Sequence, residues 1–329
     1  MNRGFWDKLP KPFFILAPMY DVTDVAFRHV VSKCAAPDVY FTEFVSTDGL
    51  MSPAGRERLI YHLKKENDPT PLVAQVFGAK PEKFYETAKF VRELGFDGMD
   101  INMGCPKPAE MKGGACAALF KNPQLAKEIV EAAWKGASEP MDDHPPIPVS
   151  IKIRIGDTKI DWENWIATLL EAQPANISIH LRTRKEMSKV PAHWELMPEI
   201  VKFIHEHTSP ETRPSIVGNG DVLTRTEGNE KAKNTGCDGV MVGRGIFQNP
   251  WVFEKILTEH SVAERAQLLL LHAEQYERHF VGVKPFEPLK RFYKIYMSGF
   301  DGAAEIREEL YTAKTSGEVK SILTKHGLV

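Results

Sequence analysis

The sequence predicts an α/β protein in which a closed barrel of eight parallel strands is wrapped in helices and followed by a small helical domain. Three observations predict it. The chain has 329 residues, more than the roughly 250 that a (β/α)8 TIM barrel needs. Eight short apolar, largely β-branched runs alternate with amphipathic helical patterns, the rhythm of βα units around a buried parallel sheet. Beyond about residue 261 that rhythm stops and only helical periodicity remains.

Taken in order, strands are expected at 13–17, 39–42, 72–77, 98–102, 149–153, 177–180, 215–218 and 239–242. A helix over 81–94 opens on Pro81 and stops before Gly95, and another over 123–135 has Asn122 as N-cap ahead of Pro123. A third is expected over 194–207; between residues 45 and 71 no full helix is legible. The stretches 94–100 and 235–241 echo each other as helix end, Gly turn and strand, although any αβ loop can read so. An open doubly wound sheet is the competing fold, but no G-x-G-x-x-G follows the first strand. The barrel is assigned to residues 1–260 and the helical domain to 261–329, with helices at 262–280, 288–296, 303–314 and 316–326.

Composition narrows the function. Hydrophobic residues are 43% and charged residues 26% of the chain, ordinary values for a globular protein. A net charge of -2 gives no global basic footprint, so phosphate-backbone binding would need local Lys and Arg clusters. The four cysteines form no C-x-x-C pair and no zinc-finger spacing, so no structural metal is expected. The polar start of the chain and the lack of any apolar run near ~18 residues point to a cytoplasmic protein with reduced thiols and no membrane span. The expected assembly is a monomer.

A barrel of this kind carries its active site at the C-terminal ends of its strands. Those ends hold Ala17-Pro18-Met19, Gln75, Asn102-Met103-Gly104-Cys105-Pro106, Lys152 with Arg154, His180 with Arg182, Gly218-Asn219-Gly220-Asp221 and Gly243-Arg244-Gly245. Glycine-rich turns after strands seven and eight let the backbone approach an anion, and Arg244 adds a fork suited to phosphate. Two ordinary tight turns would be the plain alternative. Lys152 interrupts an apolar strand, which is costly without a partner unless it snorkels from the strand end. A flavin would be such a partner, and His180 could bond the same cofactor. Most free cysteines are small buried hydrophobes, a reading that suits Cys34, Cys237 and Cys116. It suits Cys105 poorly, because the Cys105 loop faces the expected pocket.

These runs together resemble the tRNA-dihydrouridine synthases. The resemblance rests on 100–106, Ala17-Pro18-Met19, Thr42-Glu43, Gln75, Lys152 with Arg154, His180-x-Arg182-Thr183-Arg184, 217–221 and 238–251. It covers about residues 13–255, with a looser fit of the tail. It implies an FMN-binding TIM barrel with a helical tRNA-binding domain that reduces the uracil 5,6 double bond with NADPH. By resemblance Cys105 is the catalytic acid that protonates C5. FMN would be held by Pro18, Met19, Gln75, Lys152, His180, Asn219, Gly220, Asp221, Gly243 and Arg244. The tRNA would be held by Asn102, at the uracil edge, with Lys107, Arg154, Arg182, Arg184, Lys290 and Arg291. Two positions are bulkier than the family's usual small residue, Leu181 and Cys116, and bear on the shape of the rim.

For RNA, Lys284, Lys290, Arg291 and Lys294 lie among Phe286, Phe292, Tyr293 and Tyr296. That mixture suits backbone contact and base stacking, or equally a solvated helix whose aromatics face inward. Two other functions stay open: an FMN barrel acting on a free pyrimidine-like molecule, as dihydroorotate dehydrogenases do, and a flavin-containing RNA-binding protein without turnover.

Overall fold

The computed structural model describes residues 3–329 apart from 67, 69, 142 and 257. Its strands are β1 (Phe13–Leu16), β2 (Tyr40–Phe41), β3 (Val45–Ser46), β4 (Leu72–Phe77), β5 (Gly98–Asn102), β6 (Val149–Arg154), β7 (Asn176–His180), β8 (Ser215–Asn219) and β9 (Gly239–Val242). All pair in parallel, in the order β1-β9-β8-β7-β6-β5-β4-β2, with β3 also on β4. The ring closes where Ile15 bridges Val39 and Leu16 N donates to Val39 O at 3.1 Å. The sheet is therefore a barrel and not an open doubly wound sheet. The apolar runs read from the sequence become its staves because both faces are covered: Phe13, Phe14, Ile15 and Leu16, for example, are fully buried.

The second stave departs from expectation. It is broken into β2 and β3, and the Thr42 side chain fills the gap. Thr42 N donates to Val73 O (3.0 Å), while Thr42 Oγ1 accepts from Gln75 N (3.1 Å), so a hydroxyl stands where a ladder carbonyl would be. The break leaves Glu43 fully buried, accepting from Asp21 N at 2.6 Å in the loop after β1.

The link that showed no full helix contains two short ones, Thr47–Leu50 and Pro53–Leu59, and a 3-10 turn, Ile60–Leu63. Ser46 and Ser52 cap the helices through Gly49 N and Gly55 N. Segments of four and seven residues are too short to display a helical period. Residues 67 and 69 of this link lie outside the described residues. Elsewhere helices run over Pro81–Glu93, Pro123–Ser138 and Met197–Glu206, the last preceded by a 3-10 turn at Trp194–Leu196.

The C-terminal helices are Val262–Phe280, Tyr293–Tyr296, Ala303–Leu310 and Ser316–Lys325, with a 3-10 turn at Glu287–Phe292. Ser261 and Glu264 form a reciprocal capping box on the first. The aromatics of this region point inward. Phe292, Tyr293 and Tyr296 are buried, Phe292 stacks on Phe27 at 5.2 Å, and the Tyr296 hydroxyl lies 3.0 Å from His272 Nδ1. They are core, not a base-stacking surface. Lys284 is drawn in too, 3.7 Å from Asp21, 3.9 Å from Glu43 and 4.7 Å over the Tyr61 ring. It joins the helical segment to the barrel.

Candidate active site

The site is built upward from a buried polar chain across β4, β5 and β6. Ser150 Oγ donates to Asp100 Oδ1 (2.6 Å), Gln75 Nε2 to Asp100 Oδ2 (2.7 Å), and Asn102 Nδ2 to Gln75 Oε1 (2.9 Å). Asn102 Oδ1 then accepts from Gly104 N (3.1 Å) and Cys105 N (2.9 Å). Burial pushes the Asp100 carboxyl up to about 6 against its two hydrogen bonds. Arg154 holds the loop from the other side: its Nε donates to Gly104 O (2.7 Å) and its Nη1 to Thr183 O (3.1 Å) and Met187 O (3.3 Å). Three neighbouring strands thus fix one backbone turn, and Cys105 sits on it, half-buried.

The Cys105 thiol is lowered to about 7, first by a hydrogen bond from the Cys116 thiol and then by the Lys107 N–H and ammonium, while burial and Glu110 oppose the shift. Cys116 is buried and takes the raised value of the pair.

Beside this loop lies a cavity of about 830 Å³ at the strand ends, with Pro106 in its wall. Pro18, Met19, Lys152, Arg154, His180, Arg182, Asn219, Gly220, Asp221, Gly243 and Arg244 line it. Four cations, Lys152, Arg154, Arg182 and Arg244, face one carboxylate, Asp221. Burial, then Arg154, lowers Lys152 to about 8, and among the described residues its Nζ has no hydrogen-bond or ion-pair partner. Burial and the surrounding cations hold His180 well below its ordinary value, so its ring is neutral. Asp221 accepts from Arg182 Nη2, from Ala192 N (2.8 Å) and from Arg244 Nη2 (3.4 Å), fixing both guanidinium groups.

The end of β8 and the loop after it need their glycines. A Cβ on Gly218 would lie 2.4 Å from the Trp194 ring, and Gly220 has φ +137° with Ala192 Cβ only 2.6 Å from the same position. Trp194 Nε1 donates to Gly220 O (2.7 Å), and Asn219 Nδ2 reaches Met241 O on β9 (2.8 Å). The two glycine turns are thereby held side by side.

The other expected residues lie elsewhere. Gln75 and Asn102 are not in the cavity wall and make the polar bonds just described, Asn102 standing beside the cavity-lining Lys152 in the sheet register. Lys107 Nζ sits 4.9 Å over the Tyr20 ring. Arg184 pairs with Asp157. Lys290 Nζ donates to Tyr311 O (2.7 Å), and Arg291 Nη1 to Asp21 O (3.3 Å). Leu181 is fully buried, so its bulk enters the core and not the rim. Sequence reasoning gave no role to Asp100, the anchor of the polar chain, although a carboxylate inside a fully apolar stave was itself a signal. It also missed Met187, Ser188, Phe247 and Gln248 of the cavity wall, which belong to loops or, for Phe247, to the short 3-10 turn Arg244–Phe247, with no period to read.

The model of the dihydrouridine synthase (Dus) family matches residues 15–327. The chain belongs to the dihydrouridine synthase family. Membership makes it an oxidoreductase. The probable tRNA-dihydrouridine synthase 2 of Bacillus subtilis (strain 168) is 45% identical over 325 residues, covering 98% of this chain and 96% of the relative. The probable tRNA-dihydrouridine synthase of Staphylococcus aureus (strain MRSA252) is 44% identical, covering 98% and 95%. Among solved structures, histamine dehydrogenase from Rhizobium sp. 4-9 superposes with a TM-score of 0.53 at 12% identity, over 80% of this chain and 48% of that one. The 6-hydroxypseudooxynicotine amine oxidase of Pseudomonas geniculata N1 gives 0.52 at 11%, over 76% and 47%. These two share the fold with this synthase-family chain. Among the described residues no His, Cys, Asp and Glu group could hold a metal ion, and no helix is long and apolar enough to cross a membrane.

Proposed function

We propose that this protein is a tRNA-dihydrouridine synthase that reduces the 5,6 double bond of a uridine in tRNA, with FMN in the cavity, NADPH as reductant and Cys105 as the acid. The observation that carries the reading is the pairing of a rigidly held, half-buried thiol with a cation-lined cavity whose Lys152 ammonium lacks a partner among the described residues.

The residues present fit a phosphate-bearing flavin. Lys152 would neutralise negative charge on the ring, and the neutral His180 would bond its edge, with Pro18 and Met19 beside it. Asn219, Gly220, Gly243 and Arg244 would cradle the phosphate, with Arg182 steadied alongside by Asp221. When bound and reduced by NADPH, FMN would supply the hydride for uracil C6. Gln75 acts through Asn102, whose amide it accepts from. Asn102 spends its carbonyl oxygen on the Cys105 loop and one amide hydrogen on Gln75, leaving the second N–H for a uracil carbonyl.

Cys105 would hand its thiol proton to C5, and the resulting thiolate would be stabilised by Lys152, Arg154 and the Cys116 hydrogen bond. A value near 7 suits a group that must donate and regain a proton at neutral pH. The target base must leave its stack to reach this depth. The relatives' names supply tRNA as the substrate class. Lys107, Arg184, Lys290 and Arg291 offer local positive charge outside the cavity for its backbone.

The deciding experiment is nucleoside mass spectrometry of dihydrouridine-free tRNA after incubation with the flavin-loaded protein and NADPH. A gain of two hydrogens on one uridine supports the synthase. Turnover on free pyrimidines with none on tRNA would replace it with a small-molecule reductase.

A further inference from the structure

The Cys105 loop holds a second thiol that the proposed reaction does not require. Cys116 closes a loop back onto Cys105: Ala117 N donates to Cys105 O at 3.3 Å, bringing the two cysteines' backbones together, and the Cys116 thiol is the first cause of the lowered Cys105 value. Cys116 also has φ +53°, a left-handed conformation that suits glycine and strains a residue with a Cβ. A strained backbone at a buried position needs a reason, and the only polar group this side chain offers is its sulfur, set against the sulfur of Cys105. The intervening segment can accommodate a change. Gly113 (φ +76°) and Gly114 (φ +92°) precede Cys116, and nothing lies within 4 Å of where either would carry a Cβ.

We propose that Cys105 and Cys116 are a redox pair that closes to a reversible intramolecular disulfide when the site meets a hydroperoxide. The consequence for turnover rests on the reading of Cys105 as the acid; the bond itself does not. Cys105 is the attacking sulfur, being half-exposed and lowered to about 7, so that part of it is thiolate at neutral pH, and Cys116 is the buried resolving partner. The Cys105 thiolate attacks one peroxide oxygen. The O–O bond breaks, the other oxygen leaves as hydroxide or alkoxide and takes up from solvent the proton that the Cys105 thiol had released, giving water or alcohol, and Cys105 becomes a sulfenic acid. The Cys116 sulfur then attacks the Cys105 sulfur: the S–S bond forms, the S–O bond breaks, and the departing hydroxide takes the Cys116 proton as water. Two thiols are oxidised by two electrons in all, and the hydroperoxide is reduced by two. A dithiol reverses the change. The disulfide protects Cys105 from irreversible overoxidation and removes the proton donor while it lasts.

The test treats the purified, flavin-loaded protein with hydrogen peroxide, alkylates it under denaturing conditions and maps the peptides. Four free cysteines should fall to two alkylatable ones, with a peptide linking Cys105 to Cys116 and two hydrogens missing from the mass. Dithiothreitol should restore all four thiols and the tRNA-reducing activity together. Cys116→Gly, which suits the positive φ, should fold, form no link and instead lose activity irreversibly as Cys105 passes to sulfinic acid. Four alkylatable thiols after peroxide, or sulfinic Cys105 in the parent protein with Cys116 still free, would overturn the pair. A quantitative Cys105–Cys116 link with undiminished turnover would uphold the pair and remove Cys105 as the acid.

Discussion

Asn102 Oδ1 accepts the backbone N–H of Cys105 at 2.9 Å, so the residue that ends β5 also sets the position of the thiol beyond it. Asn102→Ala would strand Gln75 Oε1 and the N–H groups of Gly104 and Cys105, the first two of these bonds buried and the last partly so. Each unsatisfied buried group costs about 1–3 kcal/mol. We expect a lower melting temperature and, because a shift of about 1 Å in a reacting group costs on the order of 100-fold, a larger loss in single-turnover rate than in tRNA affinity. Equal losses in both would argue that Asn102 serves binding alone.

Cys105→Ala should slow uridine reduction by about 10²–10⁴-fold, the usual worth of a general acid, with flavin content unchanged. Because the acid must be protonated, the parent enzyme's single-turnover rate should fall as pH rises through about 7. In Cys116→Gly the largest cause of the lowered value is gone, so the midpoint should move upward. A profile identical in the two proteins would dissociate the second thiol from the first.

Lys152→Met separates function from stability. A buried ammonium without a protein partner is unfavourable, so the flavin-free variant should melt no lower than the flavin-free parent. Its affinity for FMN should drop about tenfold or more, each factor of ten being about 1.4 kcal/mol. Equilibrium flavin titration and calorimetry read the two effects; a variant that holds flavin as tightly as the parent would remove Lys152 from the cofactor site.

His272 offers a pH signature of the helical segment. Burial lowers its value from 6.5 to about 3. A value depressed in the folded state means that the contribution to stability is complete above 6.5 and is lost as pH falls from there to about 3, by about 1.4 kcal/mol per pH unit at most. Asp24, raised to about 6 by burial and Glu43, acts in the opposite sense, so the comparison must be made between proteins that both retain it. Replacing His272 and Tyr296 together by Phe removes both polar partners without orphaning either. The double variant should show a shallower loss of stability on acidification, measured by denaturant melts at several pH values. Parallel curves would mean that His272 binds its proton in the folded protein as readily as in the unfolded chain.

What the sequence determined by itself was periodic or chemical. Eight apolar runs set the staves, because a strand buried on both faces must be apolar along its whole length. Glycine turns at the last two strands and the lone Lys152 within an apolar run marked the cofactor side of the cavity, and Gly-Cys-Pro marked the reacting thiol. Tertiary structure alone decided what depends on residues far apart in the chain. The break in the second stave follows from the Thr42 hydroxyl bonding Gln75 N on another strand. Phe292, Tyr293 and Tyr296 could have faced RNA, but the apolar surface around Phe27 drew them inward. Lys284 went to Asp21 and Glu43 for the same reason that a charge near a core seeks its opposite. Cys116 looked like an ordinary buried cysteine, since neither its left-handed backbone nor its distance from Cys105 is encoded in any local pattern. A linear pattern reports which residues must avoid water; which polar groups meet inside is settled only when the barrel closes.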